Sequence, residues 1–158
     1  MAEALTDTAG PSVVVDSSVA AKWVFPEHGS RAAAELAERW ARTEHVVTVP
    51  AHFWAEVANI ARHKVSPAAG APGIRAEVAR AKLSILAASD LVTAAPKPTL
   101  ARALELALEL GLTVWDAAYV ALAESLATEF WTADRDLAGR ARRRFPWVRL
   151  LGEDDADH

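Results

Sequence analysis

The chain has 158 residues, of which 52% are hydrophobic and 24% charged, and its formal net charge is −4 at neutral pH. This composition is typical of one soluble globular domain and excludes an intrinsically disordered chain. The sequence contains no cysteine, which excludes disulfides and cysteine-ligated zinc or iron–sulfur centres. Its apolar runs are too short to cross a bilayer. We therefore expect a cytoplasmic protein with no membrane partner.

The two ends of the chain differ in composition from its centre. Residues 1–12 lack the cationic and apolar segments of a signal peptide, so we expect a flexible N-terminal extension. Residues 152–158 form an acidic tail. A folded domain is therefore predicted over residues 13–151. A basic run that includes Arg140 and Arg142 would make part of the surface positive although the whole chain is negative. The net charge alone therefore does not exclude an RNA substrate.

Short apolar strands alternate with amphipathic helices along the predicted domain. Hydrophobic periodicity and Pro/Gly punctuation indicate strands at 13–15, 46–49, 91–92, 130–132 and 147–151. Helices are predicted between them, at 19–24, 30–42, 51–64, 74–88, 98–110, 115–128 and 134–144. In the helix at 115–128 we expect Trp115, Tyr119 and Leu126 to face inward. The alternation predicts a three-layer α/β/α sandwich with a central parallel sheet of four to five strands.

Four acidic residues occupy informative places in this pattern. Asp16 and Asp134 follow predicted strands, Glu56 lies one turn into the helix after the second strand, and Asp116 opens a helix. Ligands of open parallel sheets bind outside the carboxyl ends of the strands, so folding would bring these acids together. Clustered carboxylates repel one another. A magnesium or manganese ion would relieve that repulsion and activate water for phosphodiester hydrolysis.

Each acid also has a purely structural interpretation. Asp16, Asp116 and Asp134 occupy positions where an acid caps a helix or favours its dipole. Glu56 belongs to a polar helical stripe with His52, Asn59 and His63, and such a stripe is usually a solvated face. The hypothesis of a metal site therefore depends on all four acids occurring together.

Four segments resemble, in order and spacing, the motifs of the PIN domains of VapC toxins. The resemblance covers roughly residues 13–151 and implies the PIN-like fold. The segments are Val-Val-Asp16-Ser17-Ser18 with Lys22-Trp23, Pro50 to Asn59 around Glu56, Gly111 to Glu124 around Asp116, and Thr132-Ala-Asp134-Arg135-Asp136-Leu137.

The resemblance implies a Mg²⁺- or Mn²⁺-dependent endoribonuclease that cuts single-stranded RNA or tRNA as the toxin of a toxin–antitoxin pair. Asp16, Asp116 and Asp134 would bind the metal, with Glu56 completing the catalytic set. A further group of side chains would orient the carboxylates and water; it consists of Ser17, Ser18, Asn59 and Thr132. Asp136 competes with Asp134 as the ligand from the fourth motif, and the sequence leaves this alternative open.

The same resemblance implies a homodimer and a cognate antitoxin that inserts a peptide, often with an arginine, into the acidic groove. The predicted helices carry apolar residues that would form either a dimer surface or only the monomer core. These are Leu83, Leu86, Leu104 and Leu108. Tryptophans that would stack on bases or, more commonly, belong to the core are Trp23, Trp40, Trp54 and Trp147.

Two other functions fit an acidic site on a parallel sheet. One is a different magnesium-dependent phosphate hydrolase; a haloacid-dehalogenase-like phosphatase, however, needs a second aspartate where Ser18 stands. The other is a non-catalytic module whose acidic groove docks a basic peptide. Such a surface has no need of acids at successive strand ends. We therefore expect the nuclease.

Overall fold

A parallel five-stranded sheet forms the centre of the molecule, which is described here from a computed structural model covering residues 10–67 and 70–153. The strand order is β3-β2-β1-β4-β5. The strands are β1 (Ser12–Val15), β2 (Val46–Pro50), β3 (Val92–Ala94), β4 (Phe130–Thr132) and β5 (Val148–Leu150). The predicted α/β sandwich is confirmed.

Seven α-helices in the described residues connect these strands, as expected for parallel pairs. Six of them form two groups by contact: α1 packs against α2, α3 and α4, whereas α5 packs against α6. Helix α7 packs against β4 and β5. The helices are α1 (Ser17–Val24), α2 (Ser30–Arg42), α3 (Phe53–Val65), α4 (Ala76–Ala87), α5 (Leu100–Leu110), α6 (Val114–Ser125) and α7 (Arg135–Arg142), and a 3-10 turn at Lys97–Thr99 precedes α5.

Strand β1 lies at the middle of the sheet because its side chains are apolar on both faces. Val13, Val14 and Val15 are fully buried, which is typical of a strand covered by helices on both sides. Val14 pairs with Thr48 of β2 and with Phe130 of β4. After β1 the chain crosses to β2 on one side, and β4 returns to the other side. The strand order therefore reverses between β1 and β4, and a crevice forms at their carboxyl ends.

Some helix boundaries and faces differ from the prediction. Helix α1 begins at Ser17, with Asp16 as its N-cap residue, and not at residue 19 as predicted. Ser17 and Ser18 therefore lie in the first turn of the helix and not before it. In α6 the predicted inward position is confirmed for Tyr119 but is wrong for Trp115 and Leu126, which are 64% and 39% exposed. Trp115 is in the first turn of α6, beyond the layer of residues that packs on the sheet. Helix α5 ends as predicted at Gly111, which adopts a φ of 65° that favours glycine.

No single helix in residues 10–67 and 70–153 is long and apolar enough to span a membrane. Two consecutive helical segments, Lys97–Leu110 and Val114–Ser125, reach the length and apolar composition of a membrane span only when they are taken together. They are bent by 116° at the break between them. The predicted extension over residues 1–12 falls mostly outside the described residues, and β1 begins at Ser12. The acidic tail beyond residue 153 is also outside them.

Candidate metal-binding and catalytic site

Asp16 lies at the point where the strand order reverses. It follows β1 directly, and its backbone N–H donates a 2.9 Å hydrogen bond to the carbonyl of Trp131 in β4. Thr132 is the last residue of β4, and Asp134 comes two residues later. The sheet alone therefore brings together the first and fourth predicted acidic segments, which are far apart in the chain.

Three hydroxyl groups hold the Asp16 carboxylate, which is only 6% exposed. Thr132 Oγ1 donates to Oδ2 at 2.6 Å, Ser18 Oγ donates to the same oxygen at 2.9 Å, and Ser17 Oγ donates to Oδ1 at 3.2 Å. Burial raises the pKa of Asp16; the hydroxyl hydrogen bonds oppose this rise, and the negative charge of Glu56 adds to it. Asp16 is thus a positioned acid whose negative charge is destabilised by its surroundings.

Glu56 reaches the same site from α3. Its Oε2 accepts hydrogen bonds from Ser17 Oγ at 2.5 Å and from the Tyr119 hydroxyl at 3.0 Å. Ser17 therefore links Glu56 to Asp16. Burial raises the pKa of Glu56, the two hydroxyl hydrogen bonds lower it, and the charge of Asp116 raises it further. Burial and the nearby carboxylates likewise raise the pKa of Tyr119, so its phenol stays a hydrogen-bond donor.

His52 lies between Glu56 and the aromatic residues of α6. Its Nε2 is 3.2 Å from Glu56 Oε1 but is buried without a hydrogen bond to any described residue. Its ring contacts the rings of Tyr119 and Trp115, at centroid distances of 5.0 and 5.3 Å. Burial lowers the pKa of His52, against the effect of the Trp115 backbone and of nearby carboxylates. The imidazole is therefore neutral at neutral pH, and its contact with Glu56 is not an ion pair.

Asp116 and Asp134 both lie at helix starts, where hydrogen bonds hold them. Thr113, the N-cap of α6, accepts a hydrogen bond from the Asp116 N–H at 3.1 Å and donates one to Asp116 Oδ2 at 2.9 Å. Asp134 caps α7: its Oδ1 accepts the N–H groups of Asp136 and Leu137, at 2.9 and 3.0 Å. The Asp134 N–H donates to Thr132 Oγ1, the hydroxyl that also binds Asp16. Capping thus fixes both acids at the edge of the site.

Two predicted residues lie apart from this network. Asn59 is on the exposed side of α3, where its Oδ1 accepts a hydrogen bond from Arg62 Nε at 3.2 Å. Asp136 is exposed and forms an ion pair with Arg140 one turn further along α7, at 2.9 Å. Of the two acids in the fourth segment, Asp134 is therefore the one connected to Asp16.

The donor atoms of the four acids are of the kind that a hard divalent cation prefers. Asp16, Glu56, Asp116 and Asp134 offer only carboxylate oxygens. The charge of Glu56 raises the pKa of Asp16, and the charge of Asp116 raises the pKa of Glu56. As positioned, no three Asp, Glu or His side chains in residues 10–67 and 70–153 lie close enough together to hold an ion. Asp134 is exposed and Asp116 half-exposed, so these two are the acids least constrained by packing.

Sequence reasoning missed the parts of the site that arise from packing between helices. Tyr119 was recognised only as a core residue, and its spacing from Glu56 carries no local signal. The tryptophans for which base stacking and core packing were weighed have structural partners: Trp23 donates to the Ala33 carbonyl and packs on Trp40, Trp54 donates to Thr93, and Trp147 packs on Phe145. The tryptophan exposed beside the acids is Trp115.

The fold and site together define an α/β protein that gathers acidic side chains at the carboxyl ends of parallel strands. Residues 13–143 match the family model of the PIN domain. The chain belongs to the PIN-domain family. No curated protein sequence matches it significantly.

Solved structures share this fold at low sequence identity. PAE2754 from Pyrobaculum aerophilum aligns at a TM-score of 0.61 and 20% identity, over 89% of this chain and 88% of that chain. The VapC20 toxin of Mycobacterium tuberculosis, which cleaves the sarcin–ricin loop, aligns at 0.61 and 17%, over 82% and 95%. A toxin–antitoxin complex from Klebsiella pneumoniae aligns at 0.61 and 19%, over 88% and 97%. These similarities establish the fold.

Proposed function

We propose that this protein is a metal-dependent endoribonuclease that cuts single-stranded RNA in the cytoplasm, as the toxin of a toxin–antitoxin pair. The observation that carries the proposal is the buried Asp16 carboxylate. It lies where the strand order reverses and is connected to Glu56 through Ser17 and to the Asp134 backbone through Thr132. Membership of the PIN-domain family and the fold shared with a toxin that cleaves the sarcin–ricin loop support the assignment.

Asp16, Asp116 and Asp134 would hold Mg²⁺ or Mn²⁺. The bound ion would supply Lewis-acid stabilisation of the phosphate and activation of a water molecule. Burial of Asp16 favours cation binding, because a dication compensates a charge that is costly when unpaired. The hydroxyl groups of Ser18 and Thr132 keep Asp16 oriented.

Glu56 is the acid best suited to move a proton. Its pKa is raised by burial and by Asp116, which brings it closer to neutral pH, where a general base is most effective. Ser17 and Tyr119 hold Oε2, so the other oxygen, Oε1, is the one left to accept a proton from water. The neutral His52 beside Oε1 does not cancel the charge of this carboxylate.

The decisive experiment is cleavage of a labelled single-stranded RNA with Mg²⁺ or Mn²⁺. We expect products with 5′-phosphate ends, and loss of cleavage in both Asp16→Asn and Asp116→Asn. Asp90→Asn, an exposed aspartate outside the site, is the matched control and should cut normally. Robust cleavage by both site variants, as folded proteins, would remove the proposal.

The fourth ligand can be assigned in the same assay. Asp134 connects to Asp16, whereas Asp136 pairs with Arg140, so Asp134→Asn should lose cleavage and Asp136→Asn should retain it. The opposite pattern would make Asp136 the ligand.

We propose that the protein is a homodimer that pairs through α5. One side of this helix presents Leu100, Leu104 and Leu108, which are 62%, 53% and 78% exposed. The three are spaced one turn apart. An antiparallel second copy would therefore place Leu104 on its own equivalent and Leu100 on Leu108, as a two-fold interface requires. Of the other leucines considered, Leu86 is buried and Leu83 half-buried, so both serve mainly the monomer.

We propose that a cognate antitoxin inhibits the enzyme by placing a basic segment, such as an arginine, against the acidic site. The uncompensated carboxylates offer the bidentate contacts that a guanidinium prefers. Expression of the protein alone in a bacterial host should arrest growth, and Asp16→Asn should abolish the arrest. A small open reading frame next to the gene, encoding a DNA-binding protein that restores growth, would support the pairing.

A further inference from the structure

A groove of about 550 Å³ adjoins the acidic site on the side of α1 and α3. Ser18 and Asp134, which belong to the acidic site, line it together with Ile60 and His63. Lys22, one helical turn beyond Ser18 in α1, and Lys64 from α3 also line it. We call this feature the lysine groove. It is continuous with the site because Ser18 is also a hydrogen-bond donor to Asp16.

The two lysines share one carboxylate. Lys22 Nζ donates to Glu27 Oε1 at 2.9 Å, and Lys64 Nζ donates to Glu27 Oε2. Both hydrogen bonds and the two positive charges lower the pKa of Glu27, against its partial burial, so it is ionised at neutral pH. Two ammonium groups on one carboxylate leave a net charge of about +1 on the cluster of Lys22, Lys64 and Glu27.

The lysines also keep unused hydrogen-bond donors. Each ammonium has three N–H groups. Lys22 uses one on Glu27 and one on the His28 carbonyl, whereas Lys64 has a single hydrogen bond, to Glu27, among the contacts of the described residues. The side chains of Lys22 and Lys64 are 15% and 32% exposed, so both are partly ordered by packing while remaining accessible. A preorganised, partly buried cation pair is suited to a phosphate oxygen.

We infer that the lysine groove binds a backbone phosphate of the RNA strand next to the bond being cut, and that Glu27 limits the affinity by competing for both lysines. This inference rests on the proposed function and adds where the strand runs: from the acids, past Ser18, to Lys22 and Lys64. A salt bridge serving only to tie α3 to the α1–α2 connection is the competing explanation, and exposed ion pairs contribute little to stability.

The test uses the Asp16→Asn protein, which should not cut RNA, with a short fluorescein-labelled single-stranded RNA as probe. Affinity is measured by fluorescence anisotropy in Mg²⁺ over a series of salt concentrations. Lys64→Met and Lys22→Met in this background should each weaken binding about threefold to tenfold and flatten the log–log salt dependence by roughly 0.7. Lys97→Met, an exposed lysine in the 3-10 turn, is the charge-matched control and should bind as the background does.

Glu27→Gln gives a change of opposite sign. It removes the competing charge while leaving one amide oxygen to position a lysine, so it should tighten RNA binding about threefold. A merely structural cluster would instead show a lower Tm for these variants with unchanged RNA affinity, and that result would overturn the inference. Equal weakening by Lys64→Met and Lys97→Met would overturn it too. Cleavage of the probe by the Asp16→Asn background would count against the proposed function instead.

Discussion

Replacing Asp16 by asparagine should stabilise the folded protein at neutral pH in metal-free buffer. The amide retains the hydrogen bonds: its oxygen accepts from Ser18 and Thr132, and its NH₂ group donates to Ser17 Oγ, whose own hydrogen then points to Glu56 alone. The substitution therefore removes the buried charge while keeping the contacts with Ser17, Ser18 and Thr132. The charge of the Asp16 carboxylate therefore lowers stability, as is common where a residue is kept for function.

The sign and size of the effect follow from the raised pKa. The unfolded chain titrates near the ordinary value of 3.8, and burial places the folded pKa above it. Between these two values the folded state binds more protons, so the free energy of unfolding falls as pH rises through that interval and stays reduced above it. Each pKa unit corresponds to about 1.4 kcal/mol, and each kcal/mol changes the Tm of a chain of this size by roughly 2–4 °C. We therefore expect Asp16→Asn to raise the Tm at neutral pH, by an amount that grows with the upward shift of the Asp16 pKa.

The assay is thermal unfolding followed by circular dichroism in EDTA across the acid-to-neutral pH range. The gain of Asp16→Asn over wild type should appear at neutral pH and vanish at low pH, where the wild-type carboxyl is protonated. Asp90→Asn, at an exposed site, should show neither effect. A neutral-pH Tm below that of wild type would refute the argument that burial makes this charge costly.

Two further predictions concern Glu56 and the α5 surface. Tyr119→Phe removes one of the two hydroxyl donors on Glu56, so the pKa of Glu56 should rise further. The acid limb of the RNA-cleavage pH profile should then move to higher pH. If the variant is less active but its acid limb does not move, Tyr119 acts only through packing. Leu104→Glu places like charges at the centre of the proposed two-fold contact and should convert a dimer to a monomer in sedimentation velocity, whereas an unchanged sedimentation coefficient would exclude α5 as the interface.

The sheet and the approximate position of the acids could be predicted because both depend on local patterns. A triplet of valines identifies a strand covered on both faces, and an acid after such a strand must lie at its carboxyl end. The place of Asp134 at a helix N-cap and of Asp116 in a first helical turn were equally predictable from their positions at helix starts. At Asp134 the capping hydrogen bonds are made by Oδ1, so Oδ2 takes no part in the cap.

The contacts that tune the site could not be predicted, because they join residues that only folding brings together. Thr132 donates to Asp16 across a separation of 116 positions, and Tyr119 to Glu56 across 63. Helical periodicity placed Trp115 inside because it continues the apolar spacing of α6. Its position in the first turn leaves the indole exposed, since periodicity specifies a direction around a helix and not the edge of the layer that covers it.

The most direct test of the central claim is Mn²⁺ binding measured by isothermal titration calorimetry, with no RNA present. If the separated acids form one cation site, wild-type protein should bind Mn²⁺, and Asp16→Asn and Asp116→Asn should each weaken binding at least about tenfold, since each removes a charged oxygen ligand. Asp90→Asn should bind as wild type does. Equal Mn²⁺ affinity in all four proteins, or no binding to any of them, would contradict the account.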